Sequence, residues 1–286
     1  MNKIKSKNIC VFGLGYVGCV GIACLAEAGH KVIGVDINTA KVELVNNGIP
    51  TIVEPGLDDL LKKGVECGRV TATSNVDLAV IDSEILFITV GTPCKLNGEL
   101  DLSHIYSVAE SIGKIISQID EHLVIAIRST VKPNTCKKVA EIIEIHSGKK
   151  CNKDFSVVAN PEFLREGTAI QDYFNPPYVL IGASDKAGAD EVASIYENVN
   201  AEIINVDIKT AEIIKYVNNS WHALKVTFGN EVGSICKALN IDSNEVMDIF
   251  CKDIILNISA SYLRPGFAYG GACLPKDLSA LVALSS

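Results

Sequence analysis

Gly13-Leu14-Gly15-Tyr16-Val17-Gly18 is the stretch that most narrows what this chain can fold into. The pattern G-x-G-x-x-G follows the apolar run Ile9-Cys10-Val11-Phe12 and opens a segment with helical spacing. The first glycine permits a tight turn, the second lets a pyrophosphate approach the backbone, and the third lets helix pack closely on strand. A pyrophosphate there rests on a helix N-terminus, where amides lack intrahelical partners. Asp36 closes the next apolar run, eighteen residues past Gly18. Its carboxylate can accept from ribose hydroxyls and repels a 2′-phosphate, so NAD is expected rather than NADP.

Apolar runs alternate with amphipathic segments through the first 200 residues, which predicts an α/β fold: a Rossmann-like, doubly wound parallel sheet with crossover helices. Strands are expected at 8–12, 31–35, 69–72, 84–90, 122–127, 155–159, 178–182 and 202–206. Helices are expected at 16–29, 39–47, 56–66, 102–118, 135–146 and 187–198. From Ile208 the character changes. Residues 208–240 hold no proline and only Gly229 and Gly233, which predicts one long helix, with a shorter one at 242–251. The expected domains are a dinucleotide-binding domain, 1–207, and an all-helical region, 208–286. After Asp277 the sequence reads as a helix barely begun, so the chain looks interrupted.

Composition removes several function classes. The net charge of −8, without a run of Lys or Arg, argues against nucleic acid or an anionic membrane as the main partner. No stretch approaches the length needed to span a bilayer. Ten cysteines lie scattered without a Cys-x-x-Cys pair, and no secretion signal precedes them, which reads as reduced thiols in a cytoplasmic protein. The five histidines form no pair at metal-ligand spacing, so no metal site is expected.

The chemistry concentrates in Gly270-Gly271-Ala272-Cys273-Leu274-Pro275-Lys276-Asp277. Pro275 suits the first turn of a helix. Cys273 then sits just ahead of the helix N-terminus, where the dipole favours thiolate, with Lys276 and Asp277 close by. On a wheel of about 100° per residue, Lys215, Asn219 and His222 fall within roughly 60°, with Asn230 near the same stripe. That stripe could line a cleft or be a solvated face. Glu162 and Glu166, in Asn160-Pro161-Glu162-Phe163-Leu164-Arg165-Glu166, end a strand and could handle water or sugar hydroxyls, or be surface charge. Thr130 could hold a bound water or cap a turn. Val90-Gly91-Thr92-Pro93 could face the same ligand edge or be an ordinary turn. A nicotinamide site together with an activated thiol suggests oxidation through a covalent thioester.

These motifs together resemble the UDP-glucose/GDP-mannose dehydrogenase family. GLGYVG, VGTP, RSTV, NPEFLREGTA, KYVNNSWHALK and GGACLPKD carry the resemblance, from Asn8 to the last residue. WHALKVTFGNE, the LNIS at 256–259 and RPGFAYGGACLPKD are similar to the GDP-mannose branch. The resemblance implies four-electron oxidation of a nucleotide sugar at C6, GDP-mannose to GDP-mannuronate, with two NAD per sugar and Cys273 as nucleophile. It implies that Lys215 and Asn219 stabilise an oxyanion, and that Glu162, Thr130 and Asp277 manage water and protons. Gly13, Gly15, Tyr16, Val17, Gly18, Asp36, Lys41, Thr92, Thr130 and Lys276 match cofactor contacts. Glu166, Lys215, Asn219, His222, Asn230, Tyr262, Arg264, Phe267 and Gly270 match substrate contacts. Ser261 departs from the aromatic residue usual in the mannose branch, and Ala272 from the serine of many members. Family members continue into a second Rossmann-like domain, which this sequence lacks, and they pair through the long helix, so a homodimer is expected. Alternatives are a UDP-glucose or other UDP-sugar 6-dehydrogenase, a two-electron hydroxyacid dehydrogenase, and a catalytically incomplete NAD-binding fragment.

Overall fold

The computed structural model describes residues 5–263, 266, 268–269 and 273–284. The chain divides into two compact units, Met1–Tyr216 and Val217–Ser286. In the first unit the elements run β1 (Asn8–Phe12), α1 (Tyr16–Glu27), β2 (Lys31–Val35), α2 (Thr39–Asn46), α3 (Leu57–Glu66), β3 (Val70–Thr73), α4 (Val76–Ile81) and β4 (Ile85–Ile88). They continue with α5 (Ser103–Ile116), β5 (Leu123–Ile127), α6 (Thr135–Ser147), β6 (Phe155–Ala159), α7 (Ala169–Phe174), β7 (Tyr178–Gly182), α8 (Lys186–Ser194) and β8 (Glu202–Val206). The helix α9 (Ile208–Ala238) crosses from this unit into the next, which also holds α10 (Ser243–Phe250) and α11 (Leu274–Leu284).

All eight expected strands form one sheet in the order β3-β2-β1-β4-β5-β6-β7-β8. Its inner strands read as mainly apolar runs because both faces are covered there, whereas the edge strands β3 and β8 are partly polar and partly exposed. Ile9 and Val11 of β1 point into the core on one face, Cys10 and Phe12 into the core on the other. Phe87 and Ile88 of β4 divide in the same way. Each such side chain contributes about 1.5–3 kcal/mol of hydrophobic stabilisation when fully buried.

The expectation of a parallel sheet throughout needs one correction. β1 to β6 are parallel, but β7 pairs antiparallel with β6, and β8 runs parallel to β7. Antiparallel neighbours need no crossover helix, and only the six-residue α7 lies between β6 and β7. Residues 160–177 therefore stay at the C-terminal edge of the six parallel strands. The sequence also gave no warning of α4 or α7. α4 is capped by the Asn75 side chain, which accepts from the amides of Asp77 and Leu78, whereas α7 has no side-chain cap.

The first two turns of α9 pack within the first unit. Gly182 at the end of β7 makes room for them: a Cβ there would lie 2.4 Å from the Ala211 Cβ and 3.0 Å from the Ile208 Cα. The buried Glu212 carboxylate accepts the amides of Asn134 and Cys136, both at 2.7 Å, and so caps the start of α6. In the second unit Phe228 of α9 packs on Phe250 of α10, ring centroids 5.6 Å apart. Val217, Trp221 and Leu224 of α9 are exposed. Among the described residues no helix is long and apolar enough to cross a membrane.

Overpacking a tight helix–strand contact costs about 1–3 kcal/mol. Gly182→Ala should lower stability by that amount in chemical denaturation, because its methyl group meets the Ala211 Cβ and the Ile208 Cα of α9. An unchanged midpoint would show that the contact is looser than described.

Candidate active site

The strand order reverses between β1 and β4, and ligands of open α/β sheets bind at the C-terminal ends of such a pair. The glycine loop lies there. Gly13 has φ +96°, and a Cβ on it would lie 3.0 Å from both the Cα and the amide nitrogen of Val90. A Cβ on Gly18 would lie 1.8 Å from the Gly13 carbonyl oxygen, so only glycine lets α1 start so close to β1. At Gly15 a Cβ would meet nothing within 4 Å. The sequence thus leaves open the position where a pyrophosphate must reach the amides of Tyr16 and Val17, and the loop fits a dinucleotide.

Asp36 is held to this loop. Its carboxylate accepts the Leu14 amide at 2.8 Å and the Asn38 amide at 2.9 Å, and Lys41 Nζ lies 3.6 Å away. Hydroxyl bonds lace the neighbouring strand ends together. Thr89 Oγ1 donates to the Phe12 carbonyl at 2.8 Å, Ser129 Oγ to Val90 at 2.6 Å, and Thr92 Oγ1 to the Thr130 carbonyl at 2.9 Å. Thr92 and Thr130 therefore do share the edge with the glycine loop.

The turn after β6 brings a second set of groups to that edge. Asn160 is buried and anchors its start: Oδ1 accepts from Arg128 at 2.8 Å and from the Tyr196 hydroxyl at 2.6 Å, while Nδ2 donates to Leu180 at 2.9 Å. Glu162 and Lys215 form an ion pair at 2.8 Å, with side chains 10% and 9% exposed. Lys215 Nζ also lies 5.5 Å from the centre of the Phe163 ring, which packs edge-on against Tyr178. A water-poor ammonium can stabilise an oxyanion, and the carboxylate beside it can accept a proton. Glu166 is exposed.

Sequence reasoning missed Glu54. It is buried, and its carboxylate accepts from the Tyr16 hydroxyl at 2.7 Å and from the amides of Gly167 and Ala169 at 2.9 and 2.8 Å. Burial pushes its pKa up, but these three donors outweigh burial and hold it below the usual glutamate value. The Tyr16 phenol is raised, first by burial, then by its bond to Glu54 and the nearby negative charges of Glu54, Glu166 and Glu162.

Of the remaining expected residues, Asn219, His222 and Asn230 are exposed on α9 in the second unit. Tyr262 is exposed at φ +64°. Cys273 is exposed and occupies the position just before α11; its carbonyl accepts the Asp277 amide at 2.9 Å. Lys276 and Asp277 pair with each other at 2.6 Å, both well exposed. Arg264, Phe267 and Gly270 lie outside the described residues.

Residues 7–200 match the NAD binding domain of the UDP-glucose/GDP-mannose dehydrogenase family, and residues 209–286 match its central domain. The chain belongs to this family. It is 51% identical over 275 residues to the GDP-mannose 6-dehydrogenase of Pseudomonas aeruginosa, covering 96% of this chain and 63% of that protein. Identity to UDP-glucose 6-dehydrogenase TuaD of Bacillus subtilis is 37% over 279 residues, covering 98% of this chain and 59% of that protein. A solved ternary complex of the Pseudomonas aeruginosa GDP-mannose dehydrogenase superposes with a TM-score of 0.95 at 50% identity, over 96% of this chain and 64% of that one. The chain thus spans less than two thirds of the length of these relatives. Its glycine loop and Asp36 belong to the family's NAD-binding domain, which agrees with the cofactor expected from the carboxylate.

A hydrogen bond to a charged group is worth about 1.5–3 kcal/mol. Asp36→Ala should therefore weaken NAD binding by about 10- to 100-fold in calorimetry and narrow the preference for NAD over NADP. Retention of the full preference would take the ribose role away from Asp36.

Proposed function

We propose that the protein oxidises the C6 alcohol of GDP-mannose to the carboxylate in two two-electron steps, with NAD as acceptor. The margin of 51% identity with GDP-mannose 6-dehydrogenase over 37% with a UDP-glucose enzyme, on nearly the same residues, is the observation that supports the mannose nucleotide.

Bound NAD supplies the hydride acceptor, once for alcohol to aldehyde and once for the thiol adduct to thioester. Cys273 adds as thiolate to the C6 aldehyde, forming a C–S bond and an alkoxide. Departure of a hydride from that carbon leaves a thioester. Water then breaks the C–S bond, giving the uronate and the free thiol. One alcohol, one water and two NAD⁺ yield one carboxylate, two NADH and three protons.

In this reading the ammonium of Lys215, with the amide of Asn219, stabilises the alkoxide formed at each stage. Glu162 takes the proton that Lys215 cannot accept while charged, and Asp277 and Thr130 orient water for the last step. Glu166, His222, Asn230, Tyr262, Arg264, Phe267 and Gly270 hold the sugar nucleotide, and Lys276 joins Gly13, Gly15, Tyr16, Val17, Gly18, Asp36, Lys41, Thr92 and Thr130 on the cofactor. The protein works in this scheme as a homodimer through α9. Val217, Trp221 and Leu224 recur at helical spacing and are 55%, 37% and 56% exposed, an apolar face that a second copy would cover.

Turnover of GDP-mannose should release two NADH per uronate, with UDP-glucose consumed far more slowly. Cys273→Ala should cut uronate formation by about 10³-fold or more while NAD binding persists, as expected for a lost nucleophile. One NADH per sugar, or undiminished turnover in that variant, would remove the covalent route. Sedimentation equilibrium should give twice the chain mass, reduced to a single mass in Trp221→Glu/Leu224→Glu. A dimer that survives both charges would move the interface elsewhere.

A further inference from the structure

We propose that Glu54 is a positioning residue that locks the turn carrying Glu162 and Glu166 to the glycine loop of the dinucleotide site. The inference rests on the assignment of those two places to substrate and cofactor.

Three donors from distant parts of the chain converge on this one carboxylate. Tyr16 is the first residue of α1, one position past Gly15, and its hydroxyl donates to Oε2 at 2.7 Å. The Gly167 amide donates to Oε2 at 2.9 Å and the Ala169 amide to Oε1 at 2.8 Å. The Tyr16 hydroxyl also lies 3.3 Å from the Arg165 carbonyl oxygen, so α1 and the turn meet around the carboxylate. Glu54 itself is only 3% exposed and takes part in no ion pair among the described residues. Its charge is balanced by oriented dipoles instead. Only an acceptor-only group can take all three bonds; a glutamine of the same shape would turn its NH₂ toward a donor.

The turn is stiff in itself. Arg165 grips Asp172 through its side chain at 2.6 Å and through its own amide at 2.9 Å, and the Thr168 hydroxyl donates to Asp172 at 3.0 Å. Asp172 is correspondingly held below the usual aspartate value, first by its hydrogen bonds to the Arg165 side chain. A segment tied internally in this way shifts as a body, so the link through Glu54 sets where that body stands relative to α1. Hydride transfer needs the reacting carbon aligned on the acceptor, and an error near 1 Å can cost about 100-fold in rate. A residue outside the chemistry can therefore govern turnover.

The test compares wild type with Glu54→Gln and Tyr16→Phe. Turnover of GDP-mannose, NAD affinity by calorimetry and amide exchange over residues 163–170 are measured in each. In Glu54→Gln, kcat should fall about 10- to 100-fold, while the Kd for NAD and the KM for GDP-mannose stay within about threefold. Exchange over 163–170 should rise about tenfold or more, with β1 amides unchanged. Tyr16→Phe should give smaller losses of the same kind, and the double variant should fall short of their sum, since both break one cluster. A general loss of stability would reduce NAD-binding capacity along with activity and would not split kcat from Kd. If Glu54→Gln does not fold, amide exchange over 163–170 in Tyr16→Phe carries the test, a readout independent of the contact of Tyr16 with the cofactor. Wild-type kcat, or wild-type exchange over 163–170, in a folded variant overturns the proposal. Should wild type not oxidise GDP-mannose, the functional assignment fails first, and the exchange measurement still decides whether Glu54 locks the turn.

Discussion

An ammonium and a carboxylate drawn out of water dictate how the C-terminal edge of the sheet is built. Glu162 and Lys215 are each about nine-tenths buried at a separation of 2.8 Å. Removing either leaves an uncompensated charge, at a cost of about 3–5 kcal/mol. The fold must therefore deliver a loop after β6 and a helix after β8 to one point. The reversed direction of β7 delivers the loop, because it lets residues 160–177 stay at that edge. The helix is delivered by Gly182, which has no side chain to fend off Ala211, and by Glu212, which pins α9 three residues before Lys215. Structural constraint and candidate chemistry meet in one pair.

The dinucleotide end is constrained in a similar way. Gly13 and Gly18 are required by contacts inside the protein, whereas Gly15 is required by none of them. A residue kept small where nothing protein-derived presses on it makes sense when something else comes close. The acid at Asp36 fits the same view: two backbone amides fix its orientation, yet a carboxylate has further lone pairs with which to accept from a ribose.

How much of this could be read from residues alone depends on whether the determinant is local. The inner strands were legible because both faces of the sheet are buried there, so each is a mainly apolar run with turn residues at its ends, whereas the edge strands β3 and β8 are partly polar. The glycine loop was legible because its three glycines and its acid lie within one strand–helix–strand unit. The direction of β7 was not, since alternation of side chains is the same for a strand run either way. α7 is six residues with no side-chain cap, too short to show a period. Glu54 lies in a loop between Pro50 and Pro55, and its amide donors are 113 and 115 residues away, so nothing near it in sequence marks it. Lys215 was legible only as part of a polar stripe. The structure separates it from the rest of that stripe: Lys215 is buried, while Asn219, His222 and Asn230 are exposed.

The ten cysteines show how environment sorts residues that composition cannot. Cys10, Cys24 and Cys136 are buried, and burial raises their pKa, to about 12 for Cys24, so they stay protonated at neutral pH. Cys136 even lies in the first turn of α6, but burial and the neighbouring Glu212 charge push it well up. Four cysteines are exposed: Cys67, Cys94, Cys251 and Cys273. Cys67 and Cys251 follow the C-terminal ends of α3 and α10. Cys94 lies in the short hairpin bridged from Cys94 to Leu100. Of the four, Cys273 alone precedes a helix N-terminus, the end whose unpaired amides carry positive partial charge. That is the sulfur to which the proposed mechanism assigns the attack on the aldehyde.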